Sequence, residues 1–440
     1  MNFDNFFEEK CKKSNYYLGV NLAESEFSKY WIDFNLEKKK ITKKEYFRNI
    51  RRIFSGFLFK FVIKSRIIFN KDIDLYKNKL YFILLRLNES NESNNIDKIL
   101  EKLIQEYNKK EIVLVVFDLK KYEEYVALGY SVCFIKTSKY FFTFRSFKFN
   151  DINFIDILRR SRLISVIELV DTLIRDMKPK LILTTQDYSY EDNIFTQLGK
   201  KYKITTITHL HGIVPKNIGP YKYFYSDYIM VWGDRDIKLL QEYFSLKRLK
   251  VIGNSKFKPL LENRKKSKKG IVLCMTDISK EKNLEKKILE TFLKLETKEE
   301  KIIKLHPRMN QEKFKNKYIE LLKNVKIEKD YKYIEKAKYM LCYRTTAIID
   351  GLCCGASVIE LYNDTLDKNI DLLENLDESI VSLNDLDKEI KKRENTEQYF
   401  NEIIKKQDKA LKKIIFSFES EKIEKEYINE ILKKREEELC

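Results

Sequence analysis

The stretch KPKLILTTQDYSYEDNIFTQLGKKYKITTITHLHG, Lys178–Gly212, decides the fold. Leu181–Thr185 is an apolar run of strand length that opens after Pro179, Asn193–Tyr202 has helical spacing, and Ile204–Ile207 is a second short apolar run. Two strands joined through a helix lie parallel, since such a pair needs a long crossover rather than a hairpin turn. The alternation continues on both sides. Upstream, Leu80–Leu87, Ile112–Phe117 and Ser131–Ile135 read as strands, and Ile155–Met177 as a long helix. Downstream, Tyr228–Trp232 and Leu249–Ile252 are further strands.

The run NRKKSKK at Asn263–Lys269 breaks the pattern as a linker, and a second series follows. Its strands are Ile271–Met275, Ile302–Leu305, Tyr339–Cys342 and Ser357–Leu361. Its helices are Lys280–Leu295, Gln311–Lys323 and Thr346–Cys354. The expectation is an α/β protein of two lobes facing each other across a cleft, each a parallel sheet with helices on both faces. The lobes span residues 71–262 and 263–382, with a charged helical tail over 383–440. Residues 1–70 read as a basic helical extension, in which Ile50, Phe54, Phe57, Phe61 and Ile68 stand beside Arg48, Arg51, Arg52 and Lys64. Such a face either packs on the first lobe or lies on an anionic membrane.

Composition narrows the function. A chain of 440 residues that is 43% hydrophobic is a folded protein. The net charge of +19 suits nucleic acid, a membrane surface or a phosphorylated ligand, and equally a solvated lysine-rich exterior. The basic residues are not clustered with aromatics, which speaks against nucleic acid. Seven cysteines with no Cys-x-x-Cys pair read as reduced packing residues. No signal peptide and no run of 18 apolar residues is visible, so the expected location is cytoplasmic; peripheral contact at the inner membrane face is the alternative that the basic extension leaves open. Neither a P-loop nor Gly-x-Gly-x-x-Gly is present, against an ATPase or a nicotinamide enzyme.

The chain has only three histidines, His209, His211 and His306, each just after a strand-like run. Strand ends of open α/β sheets are where ligands gather, and imidazole exchanges a proton near neutral pH. In KLHPR, Lys304–Arg308, the His306 ring and the Arg308 fork can both reach an anion. In YRTTA, Tyr343–Ala347, Thr345 and Thr346 open a helix, either as an ordinary cap made by Thr345 or as a phosphate site. His209 and His211 alternate on one side of an extended segment; a third ligand for a metal is missing. Asp187, Glu191 or Asp192 could act as a general base or simply cap the following helix.

In this order the motifs resemble the GT-B transferases of bacterial surface-polysaccharide synthesis, from about Lys178 to Leu361. ITTITHLHG resembles the segment ending in His-Gly in capsule and teichoic-acid enzymes, and YIMVWGDRD…LKVIGN the segment before the second lobe. IKLHPR is similar to the His-Pro motif of polyol-phosphate, sialyl- and Kdo transferases, and RTTAIIDGLCCGASVIEL to their Ser/Thr pair and the strand after it. The sequence departs from that pattern with Thr-Thr for serines, Asp350 where Glu is usual, and Gly355-Ala356-Ser357 for Gly-x-Pro.

The resemblance implies a metal-independent glycosyltransferase with a GT-B fold of two Rossmann-like lobes. It would take a nucleotide sugar, CMP- or CDP-linked by preference, and a glycan acceptor, possibly lipid-linked. By position it places His306, Thr345 and Thr346 on the donor phosphate and His211 near the acceptor. Together with the residues' own chemistry, the catalytic candidates are His306, His211, Asp187 and Glu191, and the nucleotide- and phosphate-binding candidates Arg308, Arg344, Thr345, Thr346, Asn254 and Asp350. No cofactor is implied. The alternatives are a teichoic-acid-type polyol-phosphate transferase, a nucleotide-sugar 2-epimerase whose Glu-Ala-Gly and Ser-Gly-Gly signals are absent, an inactive scaffold, or a nucleic-acid-binding protein.

Overall fold

The computed structural model describes residues 16–18, 20–21, 66–84, 100, 102–137, 154–187, 189–214, 219–262, 264, 268–275, 282–306, 309–322, 325–328, 332–343, 345–362, 373 and 376–439. A two-stranded ladder pairs Tyr16–Tyr17 with Val20–Asn21. The first lobe is built on strands β1 (Arg66–Phe69), β2 (Leu80–Leu84), β3 (Ile112–Val116), β4 (Ser131–Lys136), β5 (Leu181–Thr184), β6 (Thr205–His209), β7 (Tyr228–Val231) and β8 (Leu249–Val251). Their order is β8-β7-β6-β5-β2-β3-β4-β1, parallel throughout except for β1, which runs antiparallel to β4. All four residues of β5 and all five of β3 are buried, as expected where helices cover both faces of a sheet.

Helices α1 (Leu119–Ala127), α2 (Phe154–Met177), α3 (Tyr190–Lys201) and α4 (Asp234–Leu240) make the crossovers. Local chemistry sets their ends. The Asp118 carboxylate accepts the Lys120 and Lys121 amides at the start of α1, and the Ser189 hydroxyl accepts the Asp192 amide at the start of α3. In α3 the acids Glu191 and Asp192 stand in the first turn and Lys200 and Lys201 in the last, matching the helix dipole.

After the short α5 (Lys258–Glu262), the second sheet contains β9 (Ile271–Met275), β10 (Lys301–Leu305), β11 (Lys326–Glu328), β12 (Tyr339–Tyr343), β13 (Ser357–Tyr362) and β14 (Ile380–Ser382). The order is β11-β10-β9-β12-β13-β14, and every pair is parallel. The connecting helices are α6 (Lys282–Lys294), α7 (Gln311–Lys317), α8 (Lys332–Lys336) and α9 (Ala347–Cys354). Gly351 lets α9 lie close on its sheet: a Cβ there would stand 2.6 Å from Met340 Sδ.

The tail forms α10 (Leu386–Asn395), α11 (Glu397–Ile414) and α12 (Ser420–Leu439). Leu411 and Ile414 of α11 pack in the second-lobe core. The chain then crosses back. The Phe416 amide donates to the Trp232 carbonyl and the Asn254 amide to the Ser417 carbonyl, both at 2.8 Å. Ile428 and Ile431 of α12 join Phe82, Leu181 and Leu183 in the core of the first lobe.

Two expectations are corrected. Arg66–Phe69 is an edge strand of the first sheet, so residues 66–70 are not part of a helical extension, and Ile68 pairs with Phe134 rather than facing a membrane. Residues 48–65 lie outside the described residues. Helix α7 ends at Lys317 rather than Lys323, where Tyr318 leaves the helical region (φ −125°) and the 3₁₀-like turns that follow close on Phe314 and Tyr318. Among the described residues no helix is long and apolar enough to cross a membrane.

Candidate active site

The two sheets share one topological device. In the first, the chain proceeds β2, β3, β4 in one direction and then places β5 on the other side of β2. In the second, it proceeds β9, β10, β11 and then places β12 on the other side of β9. Where strand order reverses, the loops leaving the carboxyl ends splay apart and open a crevice. Thr185, Gln186 and Asp187 leave β5 at the first crevice, with His209–Gly212 leaving the neighbouring β6. Thr345 and Thr346 leave β12 at the second, with His306 leaving β10 on the far side of β9. Ile213, just past His211, belongs to one apolar cluster with Trp232, Phe257, Cys342, Ile348 and Ile349. The loop carrying His211 and the start of α9 therefore border the same contact between the lobes.

His211 is half-buried and held at both nitrogens. Nδ1 lies 3.2 Å from the Thr185 carbonyl and Nε2 lies 3.1 Å from Gln186 Nε2. The carbonyl can only accept, so Nδ1 carries the proton and Nε2 accepts from the Gln186 amide. Burial pushes the imidazole down to about 4, so the ring is neutral at pH 7 with its lone pair on Nε2.

His209 faces elsewhere. It is the last residue of β6, the strand period is lost after it, and its ring is fully buried against α12. Its Nδ1 lies 3.5 Å from Glu424 Oε2, which is 1% exposed. The expectation that His209 and His211 share one side is corrected: one braces the tail, the other borders the crevice. Burial pushes Glu424 up to about 8 and His209 down to about 3, so the pair is a carboxylic acid beside a neutral ring. Unfolded Glu424 ionises near its ordinary 4.5, so the folded state holds an extra proton from there to about 8, and stability falls as pH rises through that window. Glutamine has no such titration. Glu424→Gln should therefore gain on the wild type between about pH 6 and about pH 8, at up to about 1.4 kcal/mol per pH unit. Urea midpoints at the two pH values measure this; a constant gap would mean that Glu424 is ionised in the fold.

Of the acidic candidates after β5, Asp187 and Asp192 are bonded within the chain. Asp187 is fully buried: Oδ2 accepts the Tyr225 and Ser226 amides at 2.6 and 2.7 Å, and Oδ1 accepts the Thr196 hydroxyl. Burial pushes its carboxyl up to about 7 against those bonds. With both oxygens engaged and no face open, Asp187 ties the 225–226 segment to α3 rather than offering a base to substrate. Asp192 accepts the Gln186 amide at 2.7 Å and the Thr185 amide at 3.3 Å, so it shapes the turn that presents Gln186 to His211. Glu191 is 8% exposed on the first turn of α3.

In the second lobe, His306 is half-buried at the exit of β10, and its carbonyl accepts the Met309 amide at 2.9 Å. Thr346, rather than Thr345, occupies the N-cap position of α9, and its side chain makes no capping bond. Thr345 Oγ1 accepts the Ala347 amide at 3.3 Å instead. Thr346 is exposed, so its hydroxyl remains open at the positive end of α9. Asp350 is half-buried in the first turn of that helix. Asn254, assigned to the nucleotide, is 1% exposed: its Oδ1 accepts the Lys256 amide at 3.0 Å, its backbone N–H donates to the Ser417 carbonyl, and its buried Nδ2 has no hydrogen-bond partner among the described residues. Pro307, Arg308 and Arg344 lie outside the described residues.

Sequence reasoning missed Lys256. Its ammonium lies 5.1 Å from the Trp232 ring centre and 4.7 Å from that of Phe257, and its charge lowers both His209 and His211 in the first lobe. Both rings belong to the apolar cluster that also holds Ile348 and Cys353 of α9, so this cation borders the contact between the lobes. Among 86 lysines and arginines, nothing in its local sequence singled it out. Gln186 was missed because its role depends on the turn made by Asp192.

The fold is found in solved structures. Staphylococcus aureus MnaA in complex with UDP matches with TM-score 0.52 and 12% identity, over 81% of this chain and 97% of that one. The UDP-GlcNAc 2-epimerase of Neisseria meningitidis bound to UDP-GlcNAc gives 0.51 and 12%, over 80% and 100%. A glycosyltransferase of Rickettsia africae gives 0.50 and 12%, over 81% and 99%. No protein-family model matches the sequence, and no curated protein does. With two parallel α/β lobes and these neighbours, the chain has the GT-B fold of two Rossmann-like lobes.

Proposed function

We propose that this protein is a metal-independent glycosyltransferase that moves a sugar from a nucleotide-activated donor to a bacterial surface-glycan acceptor. One observation carries the reading: His306 and the open Thr346 hydroxyl stand at strand exits on either side of β9 in the second lobe, across the interlobe contact from His211. The donor phosphate would lie against the start of α9, with His306, Thr345 and Thr346 donating to it and Arg308 and Arg344 completing the cationic set. Charge that grows on the departing phosphate is stabilised by fixed donors and a helix terminus. Neutral His211, oriented by Thr185 and Gln186, takes the acceptor hydroxyl proton through Nε2 once that hydroxyl replaces the Gln186 amide. Lys256 adds positive charge beside the contact between the lobes.

The motif resemblance points to cytidine donors, whereas two of the solved neighbours are bound to UDP or UDP-GlcNAc. Epimerisation and a lipid-linked acceptor at the inner membrane face are separated from plain transfer by product analysis. Thermal melting in EDTA with CMP, CDP, UDP and GDP tests the reading. A ligand at about 100 times its Kd stabilises the folded state by about 2.7 kcal/mol, so the true donor nucleotide should raise the Tm by several degrees without metal. No shift with any of the four, or a shift that requires added magnesium, would overturn it.

A further inference from the structure

A cavity of about 510 Å³ opens at the amino ends of the central strands of the first-lobe sheet. Its walls come from segments that precede strands: Asn78 before β2, Lys178–Lys180 before β5, Tyr202 and Ile204 before β6. The crevice lies at the other ends of those strands, four or five residues away at about 3.3 Å each. The cavity is therefore separate from the candidate active site.

Its lining has two chemistries. Tyr202, Leu432 and the small accessible edge of Ile204 give it an apolar floor, with the fully buried Ile174 beneath. The rim is cationic: Arg175, Lys178, Lys180 and Arg435 stand against a single lining carboxylate, Glu436. Arg175 is neutralised by Asp176 at 3.1 Å and Asp171 at 3.9 Å. Lys178 and Lys180 are exposed and, among the described residues, have no carboxylate partner. Arg435 is held by the Lys180 carbonyl at 3.2 Å, the Thr205 hydroxyl at 2.9 Å and the Lys203 carbonyl, all uncharged, so its position is fixed and its charge is kept.

Backbone conformation points to the same place. Among the described residues only Leu18, Asn78, Lys178 and Lys203 adopt positive φ without being glycine, and the last three border this cavity or its rim. A side chain costs about 1–2 kcal/mol in that region, where glycine costs none. Lysines at the ends of α2 and α3 also suit the helix dipoles. That account leaves out Lys180, which enters a strand, and Arg435, which arrives from α12.

We propose that this cavity is a second ligand site, taking an amphiphile with a phosphate head and a short apolar body. The head meets Lys178, Lys180 and Arg435; the body lies on Tyr202, Leu432 and the accessible edge of Ile204. Because Leu432 and Arg435 belong to α12, an occupant also holds the tail against the first lobe.

Calorimetric titration of the full chain with octyl phosphate, octyl glucoside and inorganic phosphate, below the micelle threshold, tests the proposal. Octyl phosphate should bind once per chain, weaken with added salt, and keep its affinity in saturating UDP. Lys178→Gln with Lys180→Gln, both on exposed side chains, should raise its Kd at least about tenfold, which is about 1.4 kcal/mol. If that pair disturbs the fold, the salt dependence on the wild type carries the same reading. Four results would overturn the proposal: no binding of octyl phosphate, equal binding of octyl glucoside, competition by UDP, or inorganic phosphate binding as tightly as octyl phosphate. The last would mark a site for free phosphate. The outcome does not depend on whether the cleft transfers sugars.

Discussion

His306→Ala should reduce transfer by about 10²–10³ in kcat, the usual cost of removing one group that stabilises charge in the transition state, about 2.7–4 kcal/mol. The fold should survive. His306 lies past the end of β10, whose core is supplied by the buried Ile302, Ile303 and Leu305. Its half-exposed ring adds little packing. Steady-state rates beside a thermal melt separate the two effects. A well-folded variant that keeps more than about a tenth of the wild-type rate, a difference under about 1.4 kcal/mol, would remove His306 from the phosphate site.

Gly253→Ala should destabilise the protein by about 2–6 kcal/mol through two additive causes. Gly253 has φ +93°, a conformation that strains an L side chain by about 1–3 kcal/mol. An added Cβ would also stand 2.0 Å from the Ser417 carbonyl oxygen and 2.5 Å from the Ser417 nitrogen, which are backbone atoms that cannot rotate away. Overpacking of this kind costs about another 1–3 kcal/mol. The segment that must yield is the crossover between α11 and α12, so α12 should become sensitive to limited proteolysis before the rest of the chain. Gly233 faces the last turn of α11, 2.4 Å from the Lys413 oxygen by the same measure, and Gly233→Ala should cost the overpacking part alone, since Gly233 is extended at φ −161°. Urea unfolding with a loss below about 1 kcal/mol, within the range of an ordinary substitution, would show that the crossover does not bear on Gly253.

Much of the scaffold was legible because burial on both faces writes long apolar runs into the chain. The helix expected at Ile155–Met177 forms as Phe154–Met177, and the strand expected at Ile271–Met275 forms with those bounds. The short elements were not legible. Helices α1 and α4 have nine and seven residues and strands β11 and β14 three each, too short for a period to show, and the two helices follow from parallel pairing, which demands a crossover between neighbours. In the candidate site, the positions of His211 and His306 at strand exits could be read from the runs before them. The burial of Asp187 could not, since it depends on amides at Tyr225 and Ser226, nearly forty residues on.

The sequence by itself determined two parallel α/β lobes and the exits at which imidazole and hydroxyl groups gather, because strand and helix periods are local properties of adjacent residues. Only the tertiary structure decided which of these groups face the crevice. It turned His209 onto Glu424 of the returning tail, gave His211 to Gln186, and set Lys256 beside the contact between the lobes. It also decided that Gly253 and Ser417 touch, 164 residues apart in the chain. Such pairings follow from which surfaces bury each other once the lobes close, and no pattern within a window of sequence carries that information.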